Sequence, residues 1–391
     1  MGRFVKGAVR LVGLMALGAV AGVLAGCYPL QAAGKVDKIE LVGSSVVDGY
    51  KFDHYRNLSY PCSINGYQTF VIGTKVGSSD NATRPLWVRM RGGGVGFFAP
   101  GGQPQPSAAN KSEESAATSI QFVRDVGLMS RVRSDAAAFR LVSVSMCNHD
   151  IYAGGDQPDP NNPNTTPDGL GRTVNGLFAT KAAIQFARSL YPTGKTFLHG
   201  GSAGSAGAFG VAWALQLQGV APAGAVADSG VVNYAWEQAQ IEQQACPGGG
   251  RSQAALDAIR ARSHFDLSNL NNQPHKLVAR GALTVPILHV WSKADPNVCG
   301  DVPMSCPLRD GTTQTMGAAD CVHESLRAAI ADQGGGSKSR NLRLCVSPDT
   351  SPGSCATHVV TNKNGTNTDP AEAANYNATI MSWVQARLGD P

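Results

Sequence analysis

The 391-residue chain has no basic run, no Cys-x-x-Cys pair, no close cluster of cysteine with histidine and no internal repeat. Without a basic run there is no footprint for nucleic acid. Without paired or clustered ligands a structural metal site loses its usual signature. Net charge is slight: 33 basic against 28 acidic residues give +5. Three of the basic residues, Arg3, Lys6 and Arg10, sit at the start, so the remainder is near +2. An apolar run able to span a membrane is also missing, because Leu11 to Leu24 is short and glycine-rich.

That apolar run has another use. A basic start, a short uncharged stretch and the close Leu24-Ala25-Gly26-Cys27 describe a secretory signal of the lipoprotein type. Residues 1–26 are therefore expected to be removed and Cys27 to carry lipid, with 27–35 as a tether. An ordinary signal peptide with an incidental cysteine is the competing reading. Eight cysteines remain after Cys27, an even number suited to as many as four disulfides in an oxidising compartment. Their pairing is open. Residues 36–391 are long enough for one large domain, with loop insertions expected near 99–118 and 154–170.

Leu86-Trp87-Val88-Arg89-Met90, Arg140 to Ser145, Thr196 to His199, Ala223 to Asp228, Val285 to Trp291 and Leu342 to Val346 read as strands. Weaker β-prone runs at Lys38–Val42 and Gln68–Gly73 predict edge strands. Helical patterns at Leu177–Leu190 and Ala371–Leu388 predict cover for the sheet. Alternation of the two predicts an α/β fold with a mostly parallel central sheet and helices on both faces. The 99–118 stretch reads as a surface loop or lid. The Asp/Asn/Pro-rich loop from Asp156 to Asp168 fits no EF-hand spacing and reads as solvated rather than as a calcium loop.

One strand runs straight into Gly200-Gly201-Ser202-Ala203-Gly204. A Gly-x-Ser-x-Gly at a strand-to-helix turn is how an esterase exposes a nucleophile, although a plain tight turn is equally compatible with the pentapeptide alone. A serine hydroxyl also needs a histidine base and a carboxylate to orient it. Counting strands after Ser202, the second is followed by Asp295 and the third by His358, the order Ser, acid, His. Asp228 ends a strand one step too early and reads as a structural acid. His323 lies in a helical run and reads as packed or solvent-facing. His199 and His289 read as core or supporting groups, and His149 as a residue able to line the pocket. Upstream, Gly92-Gly93-Gly94 follows a strand and can aim backbone N–H groups into a cavity together with that of Ala203. A phosphate-binding turn or flexible loop is the rival there.

The Gly92-Gly93-Gly94 turn, the Cys147-to-Asp156 loop, Ser202 in its pentapeptide, Asp228-Ser229-Gly230, Asp295 and Ser354-Cys355-Ala356-Thr357-His358 occur in an order that resembles the pectin acetylesterase family. That family includes the animal Wnt deacylase Notum. The resemblance runs from about Trp87 to His358. It implies an α/β-hydrolase-like fold, metal-independent carboxylester hydrolysis, Ser202 as nucleophile, His358 as base and Asp295 as orienting acid. It also implies an oxyanion hole of the Gly94, Val95 and Ala203 N–H groups, with Gly93, His149 and Tyr152 as pocket candidates. Departures from the family pattern are Val95 in place of a tryptophan, Arg91 in place of an acidic residue, and Val359 in place of a cysteine.

The expected function is a secreted or surface-anchored serine carboxylesterase, acting on an acetyl ester of a polysaccharide or another small acyl ester. No cofactor, metal or nucleic acid is expected. The expected location is the cell envelope, with a lipid-anchored protein facing the periplasm or exterior. The alternative is a non-catalytic surface lipoprotein that uses the same fold to bind glycan or a protein partner.

Overall fold

The computed structural model describes residues 30–105, 111–124, 127–246, 252–263, 272–345, 355–363 and 376–391. The leader and the lipidation position Cys27 lie outside the described residues.

Strands β1 (Ile39–Val47), β2 (Tyr50–Pro61) and β3 (Tyr67–Lys75) form an antiparallel meander at one edge of a sheet. β4 (Arg84–Met90) and β5 (Arg140–Val144) follow, then a two-residue pair, β6 (Gln157–Pro158) and β7 (Thr173–Val174). β8 (Thr193–Gly201), β9 (Gly224–Asp228) and β10 (Ile287–Ser292) come next. β11 (Pro303–Pro307) and β12 (Thr313–Gly317) make a separate hairpin before β13 (Arg340–Leu344). The main sheet has nine strands in the order β1-β2-β3-β5-β4-β8-β9-β10-β13. From β5 to β13 all neighbours are parallel. Parallel neighbours need long crossovers, and helices supply them.

Those helices are α1 (Ala116–Arg124), α2 (Leu128–Ser134), α3 (Gly176–Leu190), α4 (Ala203–Leu217), α5 (Tyr234–Glu242), α6 (Gln253–Arg262), α7 (Pro274–Ala279), α8 (Ala318–Ala331) and α9 (Tyr376–Leu388). The strand pleat divides the core in two. Leu86, Val88 and Met90 of β4 pack with α3, α4, α7 and α8 on one face. Trp87 turns the other way, against α1, α2 and α9. Both faces of the parallel strands are therefore buried, which is why they read as continuous apolar runs. The topology is α/β-hydrolase-like, as expected.

Three expectations about loops change. Residues 30–35 are no free tether: buried Lys181 donates to the carbonyls of Leu30 and Ala32, and the Gly34 N–H donates to Gln185. The 99–118 stretch is not all surface, since Lys111 and Glu114 are buried and its end enters α1. In the 156–168 loop Asp159 is buried, because it pairs with a buried arginine, Arg262. A local sequence pattern reports average polarity, and it cannot show that one distant cation draws a carboxylate inward.

Disulfides join Cys62–Cys147, Cys246–Cys299, Cys306–Cys321 and Cys345–Cys355. The first closes the longest loop, with a separation of 85 residues, and ties the β2 end to the loop after β5. The last joins the end of β13 to the segment carrying His358.

Candidate active site

β8 is the sixth of the nine strands and delivers Ser202 to the carboxyl end of the sheet. Ser202 has φ 54° and ψ −123°, a backbone combination few non-glycine residues adopt. Surrounding close approaches hold it there. A Cβ on Gly204 would collide with the Met90 carbonyl, and one on Gly230 with the Ser202 carbonyl. The Ser202 N–H donates to Asp228 O at 2.8 Å. Helix α4 starts at the next residue, so the Ala203 N–H is among the donors a helix leaves unpaired at its start.

Asp295 follows β10 and is fully buried. Its Oδ1 accepts from the Asn297 N–H at 2.9 Å, capping the short Pro296–Val298 turn. Its Oδ2 accepts from His358 Nδ1 at 2.7 Å. This bond places the imidazole proton on Nδ1 and leaves Nε2 as the acceptor. His358 and Ser202 line one cleft of about 740 Å³. Among the described residues no hydrogen bond joins the two side chains. Such contacts are often long in ligand-free enzymes and tighten with substrate.

The histidine loop is fastened from below by the acid that strand counting set aside. Asp228 is fully buried and accepts from the N–H groups of Val360 and Thr361 and from the hydroxyls of Ser229 and Thr361. Burial pushes its carboxyl above the usual range, against the pull of those donors. Thr361 in turn accepts from His199 Nε2 at 2.9 Å. Val359 sits at φ 54°, a position a β-branched residue rarely occupies, with its N–H donating to Ser229 Oγ. Asp228 thus ties the histidine loop to the end of β9. That it positions this loop was hidden, because 130 or more residues separate the partners.

The glycine turn after β4 borders the same cleft with Gly92, Gly93, Gly94 and Val95. Gly94 has φ 72° and open space where a Cβ would be, so its requirement is backbone freedom. Among the described residues the Gly94 and Val95 N–H groups have no acceptor within the protein. The next N–H, of Gly96, donates to His149 O, and the Gly96 carbonyl accepts from Arg262. Arg262 also donates to Asn148 O at 2.7 Å and pairs with Asp159 at 2.9 Å. Its position on α6 gave no signal in the sequence.

Gly93 lines the cleft, but His149 and Tyr152 do not. Both lie beneath the turn. His149 Nδ1 donates to Gly93 O at 3.1 Å, and burial with the nearby Arg91 and Lys111 charges pushes its pKa down to about 3. The Tyr152 hydroxyl accepts from the Arg91 N–H at 3.0 Å. Arg91 itself is buried and paired with Glu114. Ile151 takes the lining place instead, together with Phe97, Phe122, Val231 and Val298.

The remaining rivals for the base are buried. His289 bonds to Asn341 and His323, and His323 is packed inside rather than solvent-facing. Among the described residues no three His, Cys, Asp or Glu side chains are grouped to hold a metal ion.

No protein-family model matches the chain, and no curated protein matches it. Among solved structures it resembles a thermostable esterase from Pseudomonas putida, at 13% identity over 94% of this chain and 85% of the other, with TM-score 0.42. It also resembles an S-formylglutathione hydrolase from Agrobacterium tumefaciens, at 10% identity over 78% and 91%, with TM-score 0.45. A third is a mutant of the rice cell wall degrading esterase LipA from Xanthomonas oryzae, at 12% identity over 91% and 98%, with TM-score 0.42.

Proposed function

We propose that this protein is a serine carboxylester hydrolase in which Ser202, His358 and Asp295 act in series. The supporting observation is the Asp295–His358 bond, set beside a strained serine turn and a glycine turn in one cleft. Ser202 Oγ attacks the ester carbonyl while His358 Nε2 takes its proton. Asp295 holds the imidazole tautomer and stabilises the imidazolium. The tetrahedral oxyanion is held by the N–H groups of Gly94, Val95 and Ala203. Collapse expels the alcohol, which receives the proton from His358, and leaves an acyl group on Ser202. Water, deprotonated by the same imidazole, then releases the carboxylic acid and restores the serine.

The cleft has no Asp, Glu or Lys among its described lining residues, which suits an uncharged ester. Its guanidinium, on Arg89, is 1% exposed and donates to Asn362. Within this class we propose an acetyl or similarly small acyl ester of the pectin acetylesterase type, acted on outside the cytoplasm by a protein anchored through lipid on Cys27. Hydrolysis of p-nitrophenyl acetate by the mature protein, and its loss in a folded Ser202→Ala variant, tests the reaction. Equal, slow hydrolysis by both proteins would end it in favour of a binding role. Incorporation of radiolabelled palmitate into wild type but not Cys27→Ala tests the anchor.

A further inference from the structure

The first described residues are fastened far from the cleft. Gln218 Nε2, at the close of α4, donates to the carbonyls of Gln31 and Ala32 at 3.0 and 2.8 Å. Lys181 Nζ of α3 donates to the Leu30 carbonyl at 2.7 Å and also to that of Ala32. Gly34 lies so close to α3 that a Cβ there would collide with the Ala182 backbone. From β2, Asn57 Nδ2 donates to the Lys35 carbonyl, and the Lys35 N–H donates to Tyr60 Oη, both at 2.8 Å. Two helices and a strand therefore fix the path of residues 30–35.

Two elements measure how far that place is from the nucleophile. Helix α4 starts directly after Ser202 and has 15 residues, so its last turn lies roughly 22 Å from the serine. Strand β8 enters Ser202 from the same far end, and Lys195 stands about 23 Å back along it. A hollow at the starts of β8, β9 and β13 is lined by Lys195, Arg188, Lys338 and Arg387, with Asp390 as its one described acid. Gly219, the residue after Gln218, lines it too. The end that holds the first described residues is thus also cationic.

We propose that this end, formed by the starts of the parallel strands, is seated on an anionic phospholipid bilayer, with the cleft opening away from it. The proposal rests on the reading of Cys27 as lipidated and not on the esterase reading. From Leu30 back to Cys27 is three residues, a reach of at most about 11 Å. A lipid on Cys27 therefore holds the bilayer to the end where Leu30 is pinned, and the cationic hollow there complements anionic headgroups. The cleft, at the carboxyl ends of the strands, faces esters outside the anchoring membrane.

The test uses the protein made with its leader, in vesicles of phosphatidylethanolamine and phosphatidylglycerol that carry a rhodamine headgroup lipid. With Cys27 acylated and the other eight cysteines paired, an added cysteine is the free thiol that takes a donor dye. Leu217→Cys marks the pinned end, and Gln253→Cys, next to the cleft-lining Ser252, marks the cleft end; both positions are exposed. Leu190→Cys, on the last turn of α3, gives a second marker of the pinned end. Energy transfer to the bilayer is expected to be at least threefold stronger from 217 and 190 than from 253. Equal transfer from the two ends, or stronger transfer from 253, overturns the proposal. Protein that does not float with the vesicles ends the lipid reading and this proposal with it, whatever its activity on p-nitrophenyl acetate.

Discussion

Asp295 Oδ2 accepts the Nδ1 proton of His358 at 2.7 Å, bridging 63 residues of chain. The bond decides which imidazole nitrogen is free to take a proton. Asparagine at 295 can donate where aspartate accepts, which favours the opposite tautomer. Asp295→Asn is expected to lower kcat by on the order of 10⁴-fold. Its amide oxygen can still cap the Asn297 N–H, so the thermal unfolding midpoint should move little. A kcat within tenfold of wild type would remove Asp295 from its role.

Asp228 predicts the opposite balance. Its four donors sit at the foot of the histidine loop, and alanine leaves them buried without an acceptor. Asp228→Ala should cost on the order of 3 kcal/mol or more in denaturant unfolding, with activity lost as the loop drifts. Asp228→Asn keeps one acceptor oxygen and should be milder on both measures. A stable, inactive Asp228→Ala would mean that this acid works in the chemistry.

Arg262 and Asp159 form a buried pair, with side chains 2% and 0% exposed. Arg262→Met strands the Asp159 charge and should cost about 3–5 kcal/mol. Asp159→Asn added to it should recover much of that stability. It should not recover turnover, because the Gly96 carbonyl has still lost its donor and the neighbouring Gly94–Val95 N–H groups are less well aimed. A fall in kcat on the order of a hundredfold with KM little changed is expected for the double variant. Restored kcat would show that the arginine supports only folding.

Acid should weaken the fold before it protonates most surface carboxylates. Burial pushes the pKa of His289 and His275 down to about 4 and that of His149 to about 3, and holds His199 and His323 well below normal. Unfolded, these imidazoles titrate near 6.5. Between about 4 and 6.5 the unfolded chain therefore binds more protons, so stability falls as pH drops through that window. His289 alone is worth on the order of 3 kcal/mol by its lower end. Asp150 and Asp228, raised by burial, act in the opposite direction but are fewer. Urea midpoints at pH 7.5, 5.5 and 4.5 should decline in that order, and a flat series would contradict the buried neutral state.

The chain order alone was enough to nominate Ser202, Asp295 and His358 and to predict a mostly parallel sheet, while the spatial order of its strands was decided by the fold. Strands buried on both faces announce themselves as apolar runs, and a tight turn demands glycines at fixed spacing. What reached the glycine turn from elsewhere could be seen only in three dimensions. Glu114 came from a stretch that reads as a lid, Arg262 from an unremarked helix, and Asp159 from a loop that reads as solvated. His149 and Tyr152 exchanged the cleft for the floor beneath it, and of the two places open to His323, packed or solvent-facing, the fold took the packed one. Each of these turns on which charge or ring a residue meets 23 to 103 positions away, and local polarity carries no record of that.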